Sequence, residues 1–172
     1  MTGTTPYEGT GTAGEAEIRR YPPLVLATVR DDGDDGGFRM LYAYITGANR
    51  ARNAIPMTAP VITSSTIPMT SPVISGAGTM SFVLPPEMPA DRVPEPTDDR
   101  VRIETVPARE VAAVRFSGHA RPVDVAAATA RLEEELVKTG IAARGDPFLM
   151  RYNAPMTPGF LRRNEVAVEV QR

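Results

Sequence analysis

The feature of this sequence that most constrains its fold is an internal repeat. Residues 17–30 align without a gap on residues 102–115, and Ile, Pro, Ala, Val and Arg coincide at a constant offset. Each copy consists of an extended segment, a kink marked by proline and a strand rich in β-branched residues. An internal sequence duplication of this kind predicts two copies of one supersecondary unit.

The elements after each copy also correspond. A glycine-containing loop is followed by a predicted helix, over 38–46 in the first half and 123–139 in the second. The helices are expected to stop at Gly47 and Gly140, because glycine is the usual residue after a helix C-terminus. Hairpin strands are then predicted at 79–84 in the first half and at 148–152 and 165–170 in the second.

Two tandem strand–helix–strand–strand units predict an α+β fold with pseudo-twofold symmetry. Two helices are expected to lie on one side of a distorted antiparallel β-barrel or curved sheet. We expect one domain over 1–172, with internal halves at about 15–84 and 100–172 and a flexible segment at 1–6. The linker at 85–99 is too short for independent domains, because neither half alone buries enough surface.

A second, shorter repeat lies inside the first half. Residues 55–62, which begin Ile-Pro-Met-Thr, recur with one change at 67–74. Two such segments around a short polar turn are typical of hairpin arms. Their prolines confine them to a sheet edge or to irregular extended backbone.

Composition excludes several classes of protein. The chain has no cysteine, which rules out disulfides, thiolate zinc sites, iron–sulfur clusters and cysteine nucleophiles. A net charge of −2 gives no general attraction to nucleic acid. The N-terminus does not resemble a signal peptide, and no apolar run is long enough to span a bilayer. We therefore expect a cytoplasmic protein with no membrane span and no nucleic-acid partner.

The sequence contains no recognisable catalytic motif. The single histidine, His119, would have to serve any Ser-His-Asp triad, and no nucleophile elbow, phosphate loop or dinucleotide fingerprint is present. The acidic loop at 31–36 begins like a calcium loop, but Tyr42 stands where the bidentate glutamate is required. We expect this loop to cap the first helix, and we expect the protein not to be an enzyme.

The first predicted helix is unusually apolar for a surface helix. Leu41 and Ile45 are one turn apart and are expected to face the sheet, which leaves Phe38 and Tyr42 toward the outside. Exposed aromatic side chains of this kind indicate a binding site or an interface. The alternative is a helix buried on two sides, by the sheet and by the second helix.

Four motifs, in order along the chain, carry a resemblance to a known family. They are residues 17–23, the doubled Ile-Pro-Met-Thr-(Ala/Ser)-Pro-Val, residues 116–118, and residues 152–166 with their ending Arg-Arg-Asn-Glu-Val. Together they resemble the SOUL haem-binding proteins from about Tyr7 to the C-terminus. The resemblance implies a duplicated, distorted β-barrel with two helices, similar to GyrI-like small-molecule binders. It also implies haem or another tetrapyrrole in a shallow surface groove, lined by the first helix and by the loop around the C-terminal Tyr-Asn-x-Pro motif.

The same resemblance suggests which residues contact a tetrapyrrole. Arg39, Arg50 and Arg52 are candidates for pairing with propionates, although solvated surface arginine is the alternative for each. Tyr42 or Tyr152 would stack on the macrocycle or ligate ferric iron. The residues predicted to bind the cofactor are Phe38, Arg39, Tyr42, Met57, Tyr152 and Met156.

Other candidates for an iron ligand are one histidine and three methionines. His119 is the candidate metal ligand, but it lies in the loop before the second helix, where an exposed histidine is the simpler interpretation. The axial histidine of some family members belongs to the first-helix region, which has none here. Met57, Met69 and Met156 are weaker axial candidates, since methionine commonly serves as a core filler.

The sequence therefore predicts non-covalent binding of haem or a related tetrapyrrole, for buffering or delivery. Two alternatives remain open at this point. One is a GyrI-like binder of other planar or amphipathic small molecules. The other is a protein-interaction module that uses the first helix.

Overall fold

The computed structural model describes residues 3–31, 36–51, 54–64, 78–153 and 156–172. These residues form an α+β fold, as predicted, with two α-helices and a set of mainly antiparallel strands. The helices are α1 (Gly36–Ile45) and α2 (Pro122–Thr139). The strands are β1 (Gly3–Thr4), β2 (Glu8–Ala13), β3 (Ala16–Tyr21), β4 (Leu24–Asp31), β5 (Thr58–Ser64), β6 (Gly78–Val83), β7 (Arg102–Val106), β8 (Arg109–Phe116), β9 (Ala142–Ala143), β10 (Phe148–Arg151) and β11 (Asn164–Gln171).

The chain divides into two compact units. The first unit contains residues 1–5 and 24–106, in which β5, β6, β4 and β7 pair in that order and α1 packs on the sheet. Its core combines Leu41, Tyr44 and Ile45 of α1 with strand residues such as Val29 and Phe82.

The second unit contains residues 6–23 and 107–172. Strands β10, β11, β8, β3 and β2 pair in that order, and all of these pairs are antiparallel. Helix α2 covers one sheet face, and Leu132 and Leu136 of the helix are buried against Ile18, Val114 and Val166 of the strands.

The two units repeat one topology, which confirms the duplication. In each unit a strand leads into a helix and then into a hairpin, β4–α1–β5–β6 in one and β8–α2–β10–β11 in the other. The first strand of each repeat, however, lies in the other unit. Ile18 of β3 is paired with Ala112 of β8, and Ile103 of β7 is paired with Ala27 of β4. The sequence repeat is therefore offset from the structural units by one strand.

Helix α2 follows the sequence closely. It begins one residue before the predicted start, at Pro122, where the missing N–H of proline costs nothing. It ends before Gly140, which adopts a left-handed conformation with φ 69° and donates its N–H to the carbonyls of Leu136 and Val137. The glycine is what allows the chain to leave the helix at this point.

Two segments differ from, or extend, the sequence predictions. Gly3–Thr4 was expected to be flexible but forms a short parallel strand that pairs with Thr58 and Ala59 at the start of β5. Pro60, expected at an edge or irregularity, lies where the register between β5 and β6 shifts. The second Ile-Pro-Met-Thr copy at 67–74 and most of the acidic loop, at 32–35, lie outside the described residues.

Within the described part of the chain, neither helix combines the length and the apolar character needed to cross a bilayer.

Candidate functional site

Helix α1 presents its apolar side chains on more than one face. Leu41 and Ile45 are buried, as expected from their spacing, and Tyr44 is buried beside them. The Tyr44 hydroxyl donates a hydrogen bond to the carbonyl oxygen of Pro94 at 2.6 Å, and burial raises the pKa of Tyr44 to about 12. The linker after β6 is thereby fastened to the helix, and the hydroxyl proton of Tyr44 is already donated to Pro94.

The predicted aromatic strip on α1 exists as a stacked pair. The rings of Phe38 and Tyr42 lie 6.1 Å apart with an angle of 13° between their planes. Phe38 also meets Phe82 of the core edge-on at 5.4 Å, whereas Tyr42 is 51% exposed. The inner ring is thus anchored on the core and holds the outer ring as a flat apolar surface. We refer to Phe38 and Tyr42 as the aromatic strip.

Arg39 is exposed and follows Phe38 on the helix. Because successive helical residues are rotated by about 100°, Arg39 lies between the aromatic strip and a cavity of about 700 Å³ on the other side of α1. Asp98 in this cavity is paired with Arg100 at 2.8 Å, and the Arg100 guanidinium keeps the pKa of Asp98 below its usual value. The cavity is lined by Arg39, Met40, Ala43, Tyr44, Ala48 and residues 97–101.

In the second unit, the C-terminal motif surrounds a buried carboxylate. Glu165 of β11 is fully buried. It accepts hydrogen bonds from Nη2 of Arg19 at 2.8 Å, from Nη2 of Arg163 at 2.7 Å and from the hydroxyl of Tyr152 at 2.9 Å. We refer to these four residues as the Glu165 network.

The Glu165 network is extended by further side chains of β3 and the N-terminal segment. Glu17 accepts a second hydrogen bond from Nη2 of Arg19 at 2.8 Å, so that two carboxylates face two guanidinium groups. The Arg19 guanidinium also lies 4.3 Å from the ring centre of Tyr7, a cation–π arrangement. Charges that would be costly to bury singly are thus mutually neutralised.

The electrostatics of Glu165 follow from these contacts. Burial alone would raise the pKa of this carboxyl, but the hydrogen bonds and positive charges of Arg19 and Arg163 outweigh it and hold the pKa below its usual value. Burial raises the pKa of Tyr152, and the negative charge of Glu165 raises it further. Tyr152 is therefore a neutral hydrogen-bond donor, a state unsuited to ligating iron as a phenolate.

The other predicted site residues differ in their exposure and in their immediate surroundings. Tyr152 is only 9% exposed, with the Arg163 guanidinium 4.3 Å from its ring centre, so its ring is already covered on that face. Met57 is partly buried against the core of the first unit. Met156 is 94% exposed. Phe38, Arg39 and Tyr42 share helix α1, whereas Tyr152 donates a hydrogen bond within the Glu165 network and Met57 packs against the core of the first unit.

His119 is exposed, but its ring edge is not open. A Cβ built on Gly159 would lie 2.7 Å from Nε2 of His119, so this nitrogen faces the backbone of residue 159. Arg50 pairs with Glu95 at 3.2 Å, and Arg52 and Met69 lie outside the described residues. Among the described residues, no three His, Asp or Glu side chains come together in a way that would hold a metal ion.

Sequence reasoning missed the roles of Arg19 and Glu165. Both residues belong to the motifs at 17–23 and 152–166, which carry the family resemblance but do not by themselves indicate a buried ion pair. Strand alternation held a usable signal: it places Glu17, Arg19 and Tyr21 on one face of β3, opposite Ile18. That face was a candidate for buried polar pairing.

The fold is similar to those of several solved structures. The C-terminal domain of EcmrR superposes with a TM-score of 0.61 at 12% identity, over 96% of this chain and 98% of that one. A hydrolase from Listeria innocua gives a TM-score of 0.66 at 12% identity, over 91% and 92% of the two chains. At such low identity the likeness concerns the fold alone.

The family follows from the sequence itself. The model of the SOUL heme-binding protein family matches residues 2–169. Heme-binding protein 1 of Xenopus laevis is 29% identical over 79% of this chain and 70% of the frog protein, and that of Bos taurus is 31% identical over 72% of this chain and 63% of the bovine protein. The chain belongs to the SOUL haem-binding protein family.

Proposed function

We propose that this protein binds haem or a related tetrapyrrole without covalent attachment, against the aromatic strip of α1. The observation that carries the proposal is the stacked Phe38–Tyr42 pair, half of which faces solvent. A flat apolar macrocycle can lie on such a surface, and exposed aromatic side chains fixed in this way are typical of ligand sites. Membership of a haem-binding family supports the same assignment.

Charge favours the aromatic strip over the neighbouring cavity. A tetrapyrrole carries carboxylates, and Arg39 lies next to the strip with an exposed side chain, so it can hold one propionate. The cavity contains Asp98 and Asp99, of which Asp98 is ionised and already paired with Arg100. A propionate entering the cavity would meet these carboxylates. We therefore propose that the macrocycle lies on the strip, with Arg39 at its edge.

We propose that binding does not depend on ligation of iron. Of the ligand candidates, His119 has Nε2 packed on Gly159, and Tyr152 donates its hydroxyl proton to Glu165. Van der Waals contact and an arginine–carboxylate pair then supply the affinity, which we expect to be micromolar or slightly better, about −8 to −9 kcal/mol. Reversible binding of this strength suits buffering or delivery of the cofactor, and we assign the chain no catalytic role.

The test is a titration of wild type and Tyr42→Ala with hemin and with iron-free protoporphyrin. We expect the wild type to bind both with similar affinity, and Tyr42→Ala to bind both at least about fivefold more weakly, a loss of about 1 kcal/mol. Val137→Ala is the matched control, since Val137 is an exposed apolar residue on α2. Unchanged affinity in Tyr42→Ala would contradict the proposed site on α1. Failure of the wild type to bind both hemin and protoporphyrin would contradict tetrapyrrole binding.

A second candidate function is favoured by the cavity beside α1. Its volume of about 700 Å³ and its mixture of apolar wall and paired charges suit an amphipathic small molecule other than a tetrapyrrole. The affinity for such a ligand should be unchanged by Tyr42→Ala and lowered by Met40→Trp, because Met40 lines the cavity. The two variants separate the two candidates in one set of titrations.

A further inference from the structure

Strand β7 has one uncovered edge in the first unit. Its residues, Arg102–Val106, pair with β4 on one side. Among the described residues, no strand pairs with its other side, and the hydrogen bonds of turns and loops do not involve residues 102–106. None of the five residues is buried. Free N–H and C=O groups along such an edge are a template for pairing with another strand.

The internal repeat shows that a strand of this kind accepts a second partner. Ile18 of β3 and Ile103 of β7 are equivalent positions of the repeat. In the second unit β3 lies between two antiparallel neighbours, β8 on one edge and β2 on the other. In the first unit β7 has the neighbour β4, but no counterpart of β2. The first strand of the repeat therefore has an outer antiparallel partner in one unit and lacks it in the other.

The charges of β7 are arranged so that the edge is complementary to itself. Arg102 and Glu104 are two residues apart and lie on one face of the strand. Their side chains are 65% and 44% exposed and form an ion pair at 3.5 Å. When two identical strands pair about a twofold axis, the central residue faces itself, and residues equally far from it face each other. With Ile103 at the centre, Arg102 of each copy faces Glu104 of the other.

The other registers are less favourable. With Arg102 at the centre two arginines face each other, and with Glu104 at the centre two glutamates do, and both arrangements are repulsive. With Thr105 at the centre Ile103 faces Pro107, which has no N–H to donate. The register about Ile103 combines opposite charges with pairing of the whole segment 101–105.

We propose that β7 is an interface at which two copies of this chain pair antiparallel about Ile103. Charged side chains on an edge strand usually prevent association, but here their order makes the edge attract a second copy of itself. A single pair of short strands covers less than the area of a standard stable interface, about 800 Å² per partner. The dimer is therefore weak and depends on protein concentration.

The experiment is sedimentation equilibrium of the full chain without any tetrapyrrole, over a range of protein concentrations. We expect a shift from monomer to dimer as the concentration rises. Arg102→Glu and Glu104→Arg should each raise the dimer dissociation constant at least about tenfold, because the twofold axis creates two like-charge pairs from one substitution. Arg131→Glu is the matched control, since it reverses an exposed arginine that is also paired at 3.5 Å, with Glu15, and it should change nothing.

Combining the two reversals tests the register. The double variant Arg102→Glu, Glu104→Arg restores opposite charges at both pairs, so its dissociation constant should return to within about threefold of wild type. An equimolar mixture of the two single variants should form a heterodimer, because the two glutamates of one chain face the two arginines of the other. Recovery on mixing requires that both variants are folded, so it also controls for loss of stability.

A single introduced cysteine gives an independent measurement, because the chain contains none. In the proposed register residue 103 faces itself at the Cα separation of an antiparallel pair, about 4.5–5.5 Å, which a disulfide can bridge. Ile103→Cys should therefore form a covalent dimer under mild oxidation. Thr105→Cys is the control: its two copies lie four residues apart along the strands, about 13 Å, and should not be linked.

Three outcomes would overturn the proposal. They are a wild type that stays monomeric at all concentrations, a dimer that both single reversals leave intact, and equal cross-linking of Ile103→Cys and Thr105→Cys. Failure of the double reversal to restore the dimer would overturn the register about Ile103. Because the assays contain no tetrapyrrole, their result is independent of the proposed function.

Discussion

At the scale of single residues, the most consequential side chain is Glu165. It is fully buried and accepts hydrogen bonds from two arginines and a tyrosine. Removal of its charge would leave Arg19 with one remaining carboxylate partner, Glu17, which is itself partly exposed. Removing one partner of a buried ionic group lowers the free energy of unfolding far more than removing one partner of a surface ion pair.

We predict that Glu165→Gln lowers the free energy of unfolding by about 3–5 kcal/mol at neutral pH. The measurement is urea unfolding followed by circular dichroism. Asp98→Asn is the control: it breaks an ion pair with Arg100 that lies at the surface, and it should have a much smaller effect. A Glu165→Gln protein as stable as wild type would mean that the network contributes only to geometry.

The same carboxyl predicts a dependence on pH. Its pKa in the folded protein lies below the ordinary value of 4.5, so the folded state favours the charged form. The resulting stabilisation is fully present above pH 4.5 and is lost as the pH falls through the lower, folded-state pKa. The difference in unfolding free energy between wild type and Glu165→Gln should therefore be constant from pH 5 to 7 and shrink below pH 4. A difference that grows on acidification would contradict this assignment.

His119 is the residue on which iron ligation would depend. Its exposed position and the contact of Nε2 with Gly159 argue that hemin does not bind there. We predict that His119→Ala leaves hemin affinity within about threefold, less than about 0.7 kcal/mol. Loss of a sharp Soret band in this variant, measured by absorption spectroscopy, would show that His119 is an iron ligand.

At the scale of elements, helix α1 combines a buried face with an exposed aromatic strip, and three of its residues should respond differently. Leu41 is fully buried, so Leu41→Ala should lower the free energy of unfolding by about 2–5 kcal/mol. Tyr42→Ala should leave stability nearly unchanged and weaken hemin binding. Phe38 contacts both Phe82 and Tyr42, so Phe38→Ala should do both, with a stability loss of about 1–2 kcal/mol.

Paired measurements on each variant, thermal unfolding and hemin titration, check this pattern. The double variant Phe38→Ala, Tyr42→Ala should weaken hemin binding about tenfold or more, at least about 1.4 kcal/mol, and should destabilise the fold less than Leu41→Ala. Unfolding of the double variant with unchanged hemin affinity would show that the strip is core and that the ligand lies elsewhere.

The elements also show how far the sequence could be interpreted. Spacing and glycine position were sufficient for α2, because Leu132 and Leu136 follow helical periodicity and Gly140 supplies the left-handed residue that ends it. The same two signals were insufficient for α1, because they do not indicate that Tyr44 is buried. Its hydroxyl is satisfied by the carbonyl of Pro94, 50 residues away, and such a partner leaves no trace in local periodicity.

The Glu165 network was not predictable for the same kind of reason. Arg19 and Glu165 are 146 residues apart and lie on strands that are not direct neighbours, since β8 separates β3 from β11. Their pairing depends on the order of strands in the sheet, which the repeat alone does not determine. The exposed strip, in contrast, depends only on the helical positions of Phe38 and Tyr42 and could be predicted from sequence.

At the scale of the whole molecule, the repeat has a consequence for folding. The first strand of each sequence repeat pairs inside the structural unit formed mainly by the other repeat: β3 with β8, and β7 with β4. Neither unit can therefore complete its sheet from one half of the chain. The second unit is discontinuous in sequence, since it consists of residues 6–23 and 107–172. Residues 24–106 lie between these two segments along the chain.

This exchange of strands predicts that the chain unfolds in one cooperative transition. Opening the first unit frees β7, which is joined to β8 by only two residues, Pro107 and Ala108, and β8 is the strand that holds β3 in the second unit. Leu41→Ala in the first core and Leu132→Ala in the second should therefore both move a single calorimetric transition to lower temperature, whereas Val137→Ala at the surface should not. Equality of the calorimetric and van't Hoff enthalpies is the quantitative criterion. If Leu41→Ala instead produced two transitions, of which only one moved to lower temperature, the two units would be independently stable. The exchanged strands would then make no contribution to cooperativity.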